Sequence, residues 1–413
     1  MKLLLSAAES SSDIHGAELV EALKKCLPPD QELEVFGVGG PRLRSAGLQA
    51  VVRAEDLSVM GLSEVFFRLP RVLQALRSLK QAAARRSPDL AILMDYPDFH
   101  FRLAKGLKRL GIPAVYYIPP KIWVWRKNRI QFLKKYFVKI LSIFPFEEDY
   151  YRHEDIPFQF VGNPLVDELP WELSKQVARA QLLLRPQDLV LVLMPGSRPA
   201  ELKVHFPLMI EAAQIIAQRL KEEGELAADQ ALQILMPLPP GVAVEPLQSQ
   251  FNRLSEQGGS TDLEVRFSQG DAHRCLVAAD VGLIKSGTST LEAGLLRCCH
   301  VIAYRPSALT GWAFKNLLRF RGPVGLVNWV AGWTPGQPWP VPELLCEKAN
   351  PRDLANEVVS LFMDPSRREQ MQSVFERVRK ALGVSDPHSS TESPSHRAAQ
   401  EILKILRGRG VVC

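Results

Sequence analysis

The chain has 413 residues, more than one ordinary hydrophobic core accommodates, so two domains are predicted. Apolar residues make up 46% and charged residues 23%, a balance that excludes a disordered chain and is typical of a globular one. The net charge of +6 is mildly basic and favours an ordinary basic enzyme, with binding to an anionic membrane or to nucleic acid as alternatives.

The six cysteines and eight histidines lack the spacings of a metal site, because no CxxC pair and no HxxxH pair occurs. We therefore expect no metal, no cofactor and no disulfide framework, and a reducing cytoplasm fits this usage. The apolar run within Met1–Ser6 is too short for a signal peptide and predicts a first buried strand. No run of eighteen apolar residues occurs, so no segment is predicted to span a bilayer.

Strands and helices alternate along the first part of the chain. The pattern predicts a strand at Lys2–Ala7, a helix at Asp13–Cys26, and amphipathic helices at Pro70–Arg86 and Phe101–Leu110. Further strands are predicted at Glu34–Val38, Leu90–Met94, Ala114–Ile118, Val138–Ile143 and Phe158–Val161. Nearly continuous apolar strands joined by helices predict a parallel sheet that is covered on both faces.

The pattern restarts after a turn at Gly162–Pro164 and a linker at Leu165–Pro170. The second series of predicted strands is Leu189–Met194, Leu232–Met236, Leu263–Phe267, Val281–Ile284 and Val301–Tyr304. A polar connection at Gly383–Ser395 then precedes a last helix at His396–Gly408. The predicted fold class is α/β, with two Rossmann-like doubly wound domains, 1–164 and 165–385, facing across a cleft, and a linker and C-terminal helix at 386–413.

Two strand-to-helix turns of the second series, Pro195–Arg198 and Ser286–Thr288, are candidate anion sites. A small-residue loop at a helix start leaves backbone N–H groups at the positive end of the helix dipole. Two such turns in one domain indicate a ligand that carries a diphosphate, such as a nucleotide.

Side chains in and after these turns suit a nucleotide. Arg198 offers a bidentate fork for phosphate, although an ion pair with Glu201 is an alternative role. The hydroxyls of Ser197 and Ser286 and the amides of Gly287 and Thr288 are candidate neutral donors to a diphosphate. Glu292 lies one helical turn after Thr288 and suits the two hydroxyls of a ribose, with a capping box to Ser289 as its alternative role.

Two carboxylates follow buried strands in the first predicted domain. Glu9 comes after the first strand, and Asp95 comes after Leu90–Met94. Ligands of open α/β sheets bind beyond the carboxyl ends of the strands, so both residues are candidates for a general base. For their neighbours Asp13 and Asp98, helix capping is as good an interpretation as ligand contact.

Two stretches mix apolar and aromatic residues with cations. Val65, Phe66 and Phe67 lead into a basic helix, and Trp123 and Trp125 are followed by a run of lysines and arginines. Such a mixture suits a surface that lies against a membrane. The alternatives are a solvated basic helix face and RNA binding, although no RNA-binding motif is present.

In this order the motifs resemble those of the lipid-A-disaccharide synthase family over nearly the whole chain. The motifs that carry the resemblance are Ala8–Asp13, Val59–Gly61, Asp95–Phe99, Tyr116–Tyr117, Trp123–Trp125, Pro195–Glu201, Ser286–Glu292, Asn328 and Pro342–Leu344. The resemblance implies an inverting, metal-independent glycosyltransferase of the two-Rossmann GT-B type. The residues that match positions important in the family are Glu9, Asp95, Arg198 and Asn328.

The resemblance also implies substrates and a location. It implies a hexosyltransferase that joins UDP-2,3-diacylglucosamine to 2,3-diacylglucosamine 1-phosphate (lipid X), forming the β(1→6) lipid A disaccharide 1-phosphate and UDP. The expected location is cytoplasmic, peripherally associated with the anionic surface of the inner membrane; nucleic acid is not an expected partner, and a homodimer is left open. Asp95 is then the expected base with Glu9 as the alternative, Glu292 holds the ribose, and Asn328 contacts the donor.

Two other functions stay open on the residues alone. One is a UDP-GlcNAc 2-epimerase or another UDP-GlcNAc-using enzyme of the same fold, and the other is a non-catalytic nucleotide-sugar-binding protein. One departure from the family pattern is that Ala8 and Ser12 stand where the family usually has glycine. If these positions need a positive φ, each replacement would cost roughly 1 kcal/mol in strain.

Overall fold

The computed structural model describes residues 1–57, 65–120, 129–224, 226, 229–257, 263–306, 322–384 and 392–411, with the backbone alone at residues 10 and 65–69. The chain folds as two compact units. The first unit comprises Met1–Asp167 and Ser385–Cys413, and the second comprises Glu168–Val384.

Within its described residues, the first unit contains a seven-stranded sheet in the order β3-β2-β1-β4-β5-β6-β7. Its strands are β1 (Lys2–Ala7), β2 (Glu34–Gly39), β3 (Gln49–Arg53), β4 (Leu90–Met94), β5 (Ala114–Tyr117), β6 (Lys139–Ser142) and β7 (Phe158–Phe160). All neighbouring strands are parallel. The central strand β4 is buried at every residue, as expected for a parallel sheet with helices on both faces.

Helices connect these strands and cover the sheet. They are α1 (Ser10–Cys26), α2 (Pro41–Ser45), α3 (Val65–Arg86), α4 (Pro97–Arg109), α5 (Arg129–Tyr136) and α6 (Glu147–His153). A short helix, α7 (Leu165–Glu168), follows where the chain passes from the first unit to the second.

The second unit repeats the architecture with a six-stranded parallel sheet among the residues described, in the order β10-β9-β8-β11-β12-β13. Its strands are β8 (Leu189–Met194), β9 (Leu232–Leu238), β10 (Val265–Gln269), β11 (Val281–Lys285), β12 (Cys299–Tyr304) and β13 (Glu343–Leu345). Its helices are α8 (Lys175–Gln181), α9 (Pro199–Glu222), α10 (Glu245–Gln257), α11 (Ala272–Ala278), α12 (Ser289–Leu295), α13 (Leu326–Val330), α14 (Pro351–Met363) and α15 (Pro365–Ala381).

The last helix, α16 (Pro394–Arg407), belongs to the first unit, where it packs on α1. The Lys139 Nζ lies 2.6 Å from the Glu401 Oε2, which ties α16 to β6. The Arg397 Nε also donates a hydrogen bond of 2.8 Å to the carbonyl oxygen of Val161, just after β7. The helix is strongly amphipathic and its apolar face is buried, so these polar contacts supplement the apolar packing that holds it in the first unit.

The predicted α/β architecture with two doubly wound sheets is confirmed, and most strands lie within a few residues of their expected positions. Two strands, β3 and β13, were not predicted. Every residue of β3 is exposed or half-buried, and β13 has only three residues. Both lie at a sheet edge, where strands are short and lack the apolar run by which buried strands are identified. Among the described residues, no helix is long and apolar enough to cross a membrane.

Each sheet has a point at which its winding reverses. In the first sheet this point lies between β1 and β4, where Ala7 pairs with Met94. In the second it lies between β8 and β11, where Met194 pairs with Ile284. Ligands of open α/β sheets bind beyond the carboxyl ends of the strands at such points. The four loops singled out from the sequence all start there.

Candidate active site

Asp95 lies in a backbone turn that side chains other than glycine rarely adopt. Asp95 has a φ of 52° and Tyr96 a φ of 41°, so two consecutive residues are left-handed between β4 and α4. Such residues cost about 1–3 kcal/mol each, persist where the surrounding structure enforces them, and are concentrated at functional sites. The Tyr96 amide donates a hydrogen bond of 2.9 Å to the Asp95 Oδ1, and the Asp95 side chain is half-buried.

Three buried side chains hold this turn in place. The Tyr116 hydroxyl donates a hydrogen bond of 2.7 Å to the carbonyl oxygen of Asp95, and the Nδ1 of His100 lies 2.6 Å from the same oxygen. The Nε2 of His100 lies 2.8 Å from the Ser6 Oγ. Because a carbonyl can only accept, the Nδ1 carries the proton and the Nε2 accepts from Ser6. Burial lowers the pKa of His100 to about 4, which keeps the ring neutral.

Glu9 lies beyond the adjacent strand, half-buried at the N-terminus of α1. The Ser12 Oγ lies 2.9 Å from the Glu9 carbonyl oxygen and accepts from the Glu9 amide at 3.1 Å. Burial, followed by the charges of Glu9 and Asp98, raises the pKa of the Tyr96 hydroxyl, so both carboxylates lie near this tyrosine. Neither Ala8 nor Ser12 has a left-handed backbone, so the two replaced glycines cause no strain of that kind.

The two neighbouring aspartates have structural partners. The buried Asp13 carboxylate accepts from the amides of Gly40, Arg42 and Leu43 at 2.7–3.1 Å, so it caps α2 rather than its own helix. The exposed Asp98 pairs with Arg129 at 2.5 Å. Glu9 and Asp95, which come just after the paired strands β1 and β4, stay the candidates for chemistry.

In the second unit, the Pro195–Arg198 turn wraps around the carboxylate of Glu201. The Glu201 Oε2 accepts from the amides of Ser197 and Arg198 at 3.1 and 3.3 Å. Gly196 has a φ of 120°, and a Cβ at this position would lie 2.7 Å from that same Oε2. Only glycine permits both the backbone conformation and the close approach. Ser197 and Arg198 are exposed.

Glu201 also connects this turn to the second one. The Lys285 Nζ, at the end of β11, lies 2.8 Å from the Glu201 Oε1. Burial by itself would raise the pKa of Glu201, but the Lys285 ammonium and the two amides lower it below its usual value. Glu201 therefore stays charged and pairs with Lys285. The ion pair with Arg198, predicted as an alternative, stays a prediction.

His205, one helical turn after Glu201, ties a third loop to α9. Its Nδ1 lies 3.0 Å from the Glu201 carbonyl oxygen, and its Nε2 accepts from the Arg305 amide at 3.0 Å. Burial lowers the pKa of this histidine, in keeping with a neutral ring that both donates and accepts. The loops after β8, β11 and β12 are thus connected through one face of α9.

Ser286 and Asn328 use their polar groups inside the protein. The Ser286 Oγ donates to the Val324 carbonyl oxygen at 3.0 Å, and its amide donates to Ala303 at 3.0 Å. Asn328 is fully buried, and its amide bonds to Glu343 at 2.6 Å and to both backbone groups of Val341 at 2.7 and 2.9 Å. The expected direct contacts of these two side chains with a ligand are therefore not supported by the geometry.

Glu343 is the centre of this internal network. It accepts from the amides of Val324 and Gly325 at 2.8 and 3.0 Å, in addition to Asn328. Burial raises the pKa of the Glu343 carboxyl, although these three donors oppose that shift. Since Val324 also accepts from Ser286, the network fixes the turn that follows β11.

The remaining predicted ligand contacts lie at the start of α12. Gly287 is half-buried, and Thr288 is exposed at the N-cap. The Glu292 Oε2 lies 3.5 Å from the Nε2 of His273 on α11. The alternative of a capping box between Glu292 and Ser289 does not apply, because the N-cap of α12 is Thr288 and not Ser289. The predicted contact of Glu292 with a ribose stays a prediction.

The predicted membrane residues lie largely outside the described part of the chain. Trp123 and Trp125 are outside the described residues, and for Val65, Phe66 and Phe67 the backbone alone is described, in the first turn of α3. Their predicted acyl and membrane contacts stay predictions.

Several residues that build the site were not singled out from the sequence. They are Ser6, His100, His205 and Lys285, whereas Tyr116 was part of a family motif without an assigned role. Two of them carried a usable signal, since Ser6 interrupts an apolar strand and His100 stands between Phe99 and Phe101. Lys285, a charge at the carboxyl end of a buried strand, had the same signal as Asp95.

The two doubly wound units and their paired loops define the class, that of proteins with the GT-B glycosyltransferase fold. A putative UDP-N-acetylglucosamine 2-epimerase from Listeria monocytogenes has a similar structure (TM-score 0.58, 12% identity, covering 99% of this chain and 96% of that chain). MurG from Acinetobacter baumannii is also similar (TM-score 0.54, 14% identity, covering 98% of this chain and 99% of that chain). At these identities the likeness concerns the fold.

Sequence comparison identifies the family. The family model for lipid-A-disaccharide synthetase matches residues 3–395. Lipid-A-disaccharide synthases from Anaeromyxobacter dehalogenans (strain 2CP-C) and Myxococcus xanthus (strain DK1622) are 40% and 38% identical over 409 and 405 residues, covering 98% of this chain and 98% and 97% of theirs. The chain belongs to the lipid-A-disaccharide synthase family, a glycosyltransferase family of lipid A biosynthesis. The resemblance and the predicted enzyme class are confirmed, and the epimerase and non-catalytic alternatives are not favoured.

Proposed function

We propose that this chain transfers the 2,3-diacylglucosaminyl group of UDP-2,3-diacylglucosamine to the 6-hydroxyl of lipid X. In this reaction the acceptor oxygen attacks the anomeric carbon and the bond to the UDP oxygen breaks. The acceptor proton passes to a carboxylate of the enzyme, and UDP leaves with the bonding electrons. A single displacement of this kind inverts the anomeric configuration and yields the β(1→6) disaccharide 1-phosphate.

The observation that carries the proposal is the left-handed turn at Asp95, which lies beside Glu9 at the reversal point of the first sheet. A general base needs a fixed position at the reacting hydroxyl. The hydrogen bonds from Tyr116 and His100 supply that fixed position through the Asp95 carbonyl oxygen. We assign the base to Asp95 and keep Glu9 as the alternative, and we assign acceptor binding to the first unit.

We assign the UDP group to the second unit. Arg198 is exposed at the start of α9, where its guanidinium and the helix dipole both favour a phosphate. Thr288 and Gly287, at the start of α12, would supply backbone amides to the same diphosphate, with Glu292 at the ribose. These groups stabilise the negative charge that grows on the departing UDP. Asn328, Ser286 and Glu343 act indirectly, because they hold the turn after β11.

A basic surface of the first unit supports the expected association with an anionic membrane. Helices α3, α4 and α5 pack side by side there. Their exposed cations are Arg71, Arg77, Arg85, Arg102, Lys105, Lys108, Arg109, Lys134 and Lys135. The Lys105 and Lys108 ammonium groups each lie 5.5 Å from an aromatic ring, those of Phe132 and Tyr136. Cations interleaved with aromatic rings suit the headgroup region of a membrane.

Replacing Asp95 with asparagine tests the assignment of the base. Asp95→Asn keeps the size of the side chain and removes its basicity, so we expect kcat to fall by about 10²- to 10⁴-fold. The measurement is a single-turnover assay with labelled UDP-2,3-diacylglucosamine and lipid X, together with a melting curve. The matched control is Asp98→Asn, in the same loop, whose exposed carboxylate pairs with Arg129. The control should keep nearly full activity.

Full activity of Asp95→Asn would remove this residue from the mechanism. If Glu9→Gln then lost activity in the same assay, Glu9 would be the base. Loss of activity in Asp98→Asn to the same extent would show that the loop as a whole, and not the Asp95 carboxylate, is responsible.

Replacing Arg198 with alanine tests, independently of Asp95, the assignment of the UDP group to the second unit. Arg198→Ala removes charge-assisted hydrogen bonds to phosphate, so we expect kcat/KM for the donor to fall by about 10- to 100-fold. Arg219→Ala is the control, because Arg219 lies on the same helix and pairs with Glu223. Equal donor kinetics in the two variants would contradict a role of Arg198 at the diphosphate.

A further inference from the structure

A cavity of the second unit lies at the end of the sheet opposite to the loops described above. It encloses about 710 Å³ and is lined by Leu189 and Cys299, the first residues of β8 and β12, and by Asp280, which directly precedes β11. It therefore faces the amino ends of the strands. Neither the reaction nor the predicted ligand contacts involve this cavity.

Four cations and two carboxylates line the cavity, and Arg179 and Glu376 lie behind this lining, paired with lining residues. Lys175 and Arg179 share the single carboxylate of Asp280, at 2.6 and 2.7 Å. Arg297 and Arg379 share the single carboxylate of Glu376, from which the Arg379 Nε is 3.9 Å away. Each pair therefore leaves one positive charge without a counter-charge from its shared carboxylate.

Two further charges line the cavity and cancel each other. They are Arg368, which donates to the carbonyl oxygens of Leu361 and Phe362 at 2.5 Å, and Glu369. The excess of positive charge is thus two. A phosphomonoester carries a charge of about −1.5 to −2 at neutral pH, which matches that excess.

Arg379 is the cation of the cavity that a bound anion would stabilise most. It is partly buried and lies over the ring of Trp171 at 4.9 Å. Burial and the nearby charge of Arg297 lower the pKa of Arg379. Its guanidinium donates to the Leu295 carbonyl oxygen at 3.1 Å, which leaves further N–H donors of the planar group for a ligand.

Most of the remaining lining is apolar. Trp171, Leu173, Leu276, Leu296 and Phe362 contribute to the walls. We propose that this cavity binds an organic phosphomonoester, with its phosphate at Arg297 and Arg379 and its apolar part against Trp171. The ligand is either a soluble phosphate ester or the phosphate head of a short lipid, since both present the same chemistry.

Calorimetric titration of the full chain tests this proposal. The probes are inorganic phosphate, glycerol 3-phosphate and dihexanoyl phosphatidic acid, each titrated with UDP present in excess to occupy the nucleotide site. The variants are Arg379→Gln and Arg297→Gln. The control is Arg253→Gln, an exposed arginine of α10 in the same unit. We expect at least one ester to bind the wild type and the control about ten-fold or more tightly than either cavity variant.

The relative affinities identify the source of the ligand. Tighter binding of dihexanoyl phosphatidic acid by ten-fold or more indicates a lipid, and equal binding of glycerol 3-phosphate indicates a soluble ester. Inorganic phosphate that binds as tightly as both esters would overturn the organic part of the proposal. If none of the probes binds, or if all of them bind both cavity variants as tightly as the wild type, the proposal is overturned entirely.

A fluorescence measurement covers the case in which the arginine variants do not fold. Trp171→Phe keeps an aromatic ring under Arg379 and should abolish the change in tryptophan emission that the bound ester causes in the wild type. The same emission change in Trp171→Phe would show that the ester binds elsewhere and would contradict this location.

Discussion

At the scale of single residues, the first unit keeps a costly backbone conformation at Asp95 through residues that touch no substrate. Hydrogen bonds from the fully buried Tyr116 and His100 hold two consecutive residues in the left-handed conformation. Buried hydrogen bonds are strong because unmaking them leaves polar groups without water. His100 and Tyr116 are thus positioning residues, and they act through the Asp95 carbonyl oxygen.

The lowered pKa of His100 predicts that the free energy of unfolding decreases in acid. Its pKa falls from 6.5 in the unfolded chain to about 4 in the folded protein. A depressed pKa contributes stability that is present above pH 6.5 and is lost as the pH falls toward 4. Between pH 7 and pH 5 this loss amounts to about 2 kcal/mol.

The prediction can be isolated with His100→Asn, which retains a donor to Asp95 and does not titrate. Denaturant unfolding at pH 7 and pH 5 should show the wild type losing about 2 kcal/mol more than the variant over this range. The buried His300, whose pKa is also lowered to about 4, titrates in both proteins and cancels in the difference. An identical pH dependence of the two proteins would show that His100 does not carry this effect.

At the scale of elements, helix α9 acts as a brace for the loops of the second sheet. Glu201 and His205 project from successive turns of the helix and bond to segments after β8, β11 and β12. The side chains sit one turn apart, so a single rigid helix positions all of them. Because Arg198 lies at the start of the same helix, its position depends on this bracing.

The Glu201–Lys285 pair predicts coupling between the two turns. Lys285→Met leaves the charged Glu201 without its partner, which should cost about 1–3 kcal/mol of stability and raise the KM for the UDP donor. Glu201→Gln should also raise this KM, and the double variant should lose less than the sum of the two single changes. Lys203→Met, an exposed lysine of α9, is the control. Additive effects on KM would contradict the coupling.

At the scale of the whole molecule, both units follow the same plan. Each places its candidate residues where the winding of its sheet reverses, Glu9 and Asp95 in the first and the two turns in the second. The first unit also carries the basic surface on α3, α4 and α5, whereas the second carries the cavity at the amino ends of its strands. The candidate active-site residues, the proposed membrane-binding surface and the proposed ester site thus occupy separate surfaces of their units.

The basic surface predicts binding to anionic vesicles. The chain should float with vesicles that contain phosphatidylglycerol, should bind phosphatidylcholine vesicles weakly, and should be released at high salt. Each lysine or arginine near such a surface contributes about 1 kcal/mol, so Lys105→Glu with Lys108→Glu should lower the partition coefficient by ten-fold or more. The control is Lys221→Glu with Arg253→Glu, an equal charge change in the second unit. Equal loss in both double variants would attribute binding to net charge alone.

The sequence by itself determined the fold class, the family and the loops that carry the candidate site. This was feasible because buried parallel strands are continuous apolar runs, and because the residues at their carboxyl ends are the ones a doubly wound sheet offers to a ligand. The order of the motifs along the chain then identified the family. The short edge strands β3 and β13 escaped, since nothing in their composition separates them from loops.

Only the tertiary structure decided which polar groups in these loops already have partners. Asp13 caps a helix that begins at Pro41, Asn328 and Ser286 are held by Glu343 and Val324, and Glu201 pairs with Lys285. Each of these contacts joins segments that are from 15 to 84 residues apart in the sequence. A hydrogen-bonding side chain has the same appearance in a sequence whether it is satisfied internally or presented to a ligand, because its partner comes from a distant segment that only the folded chain brings to it.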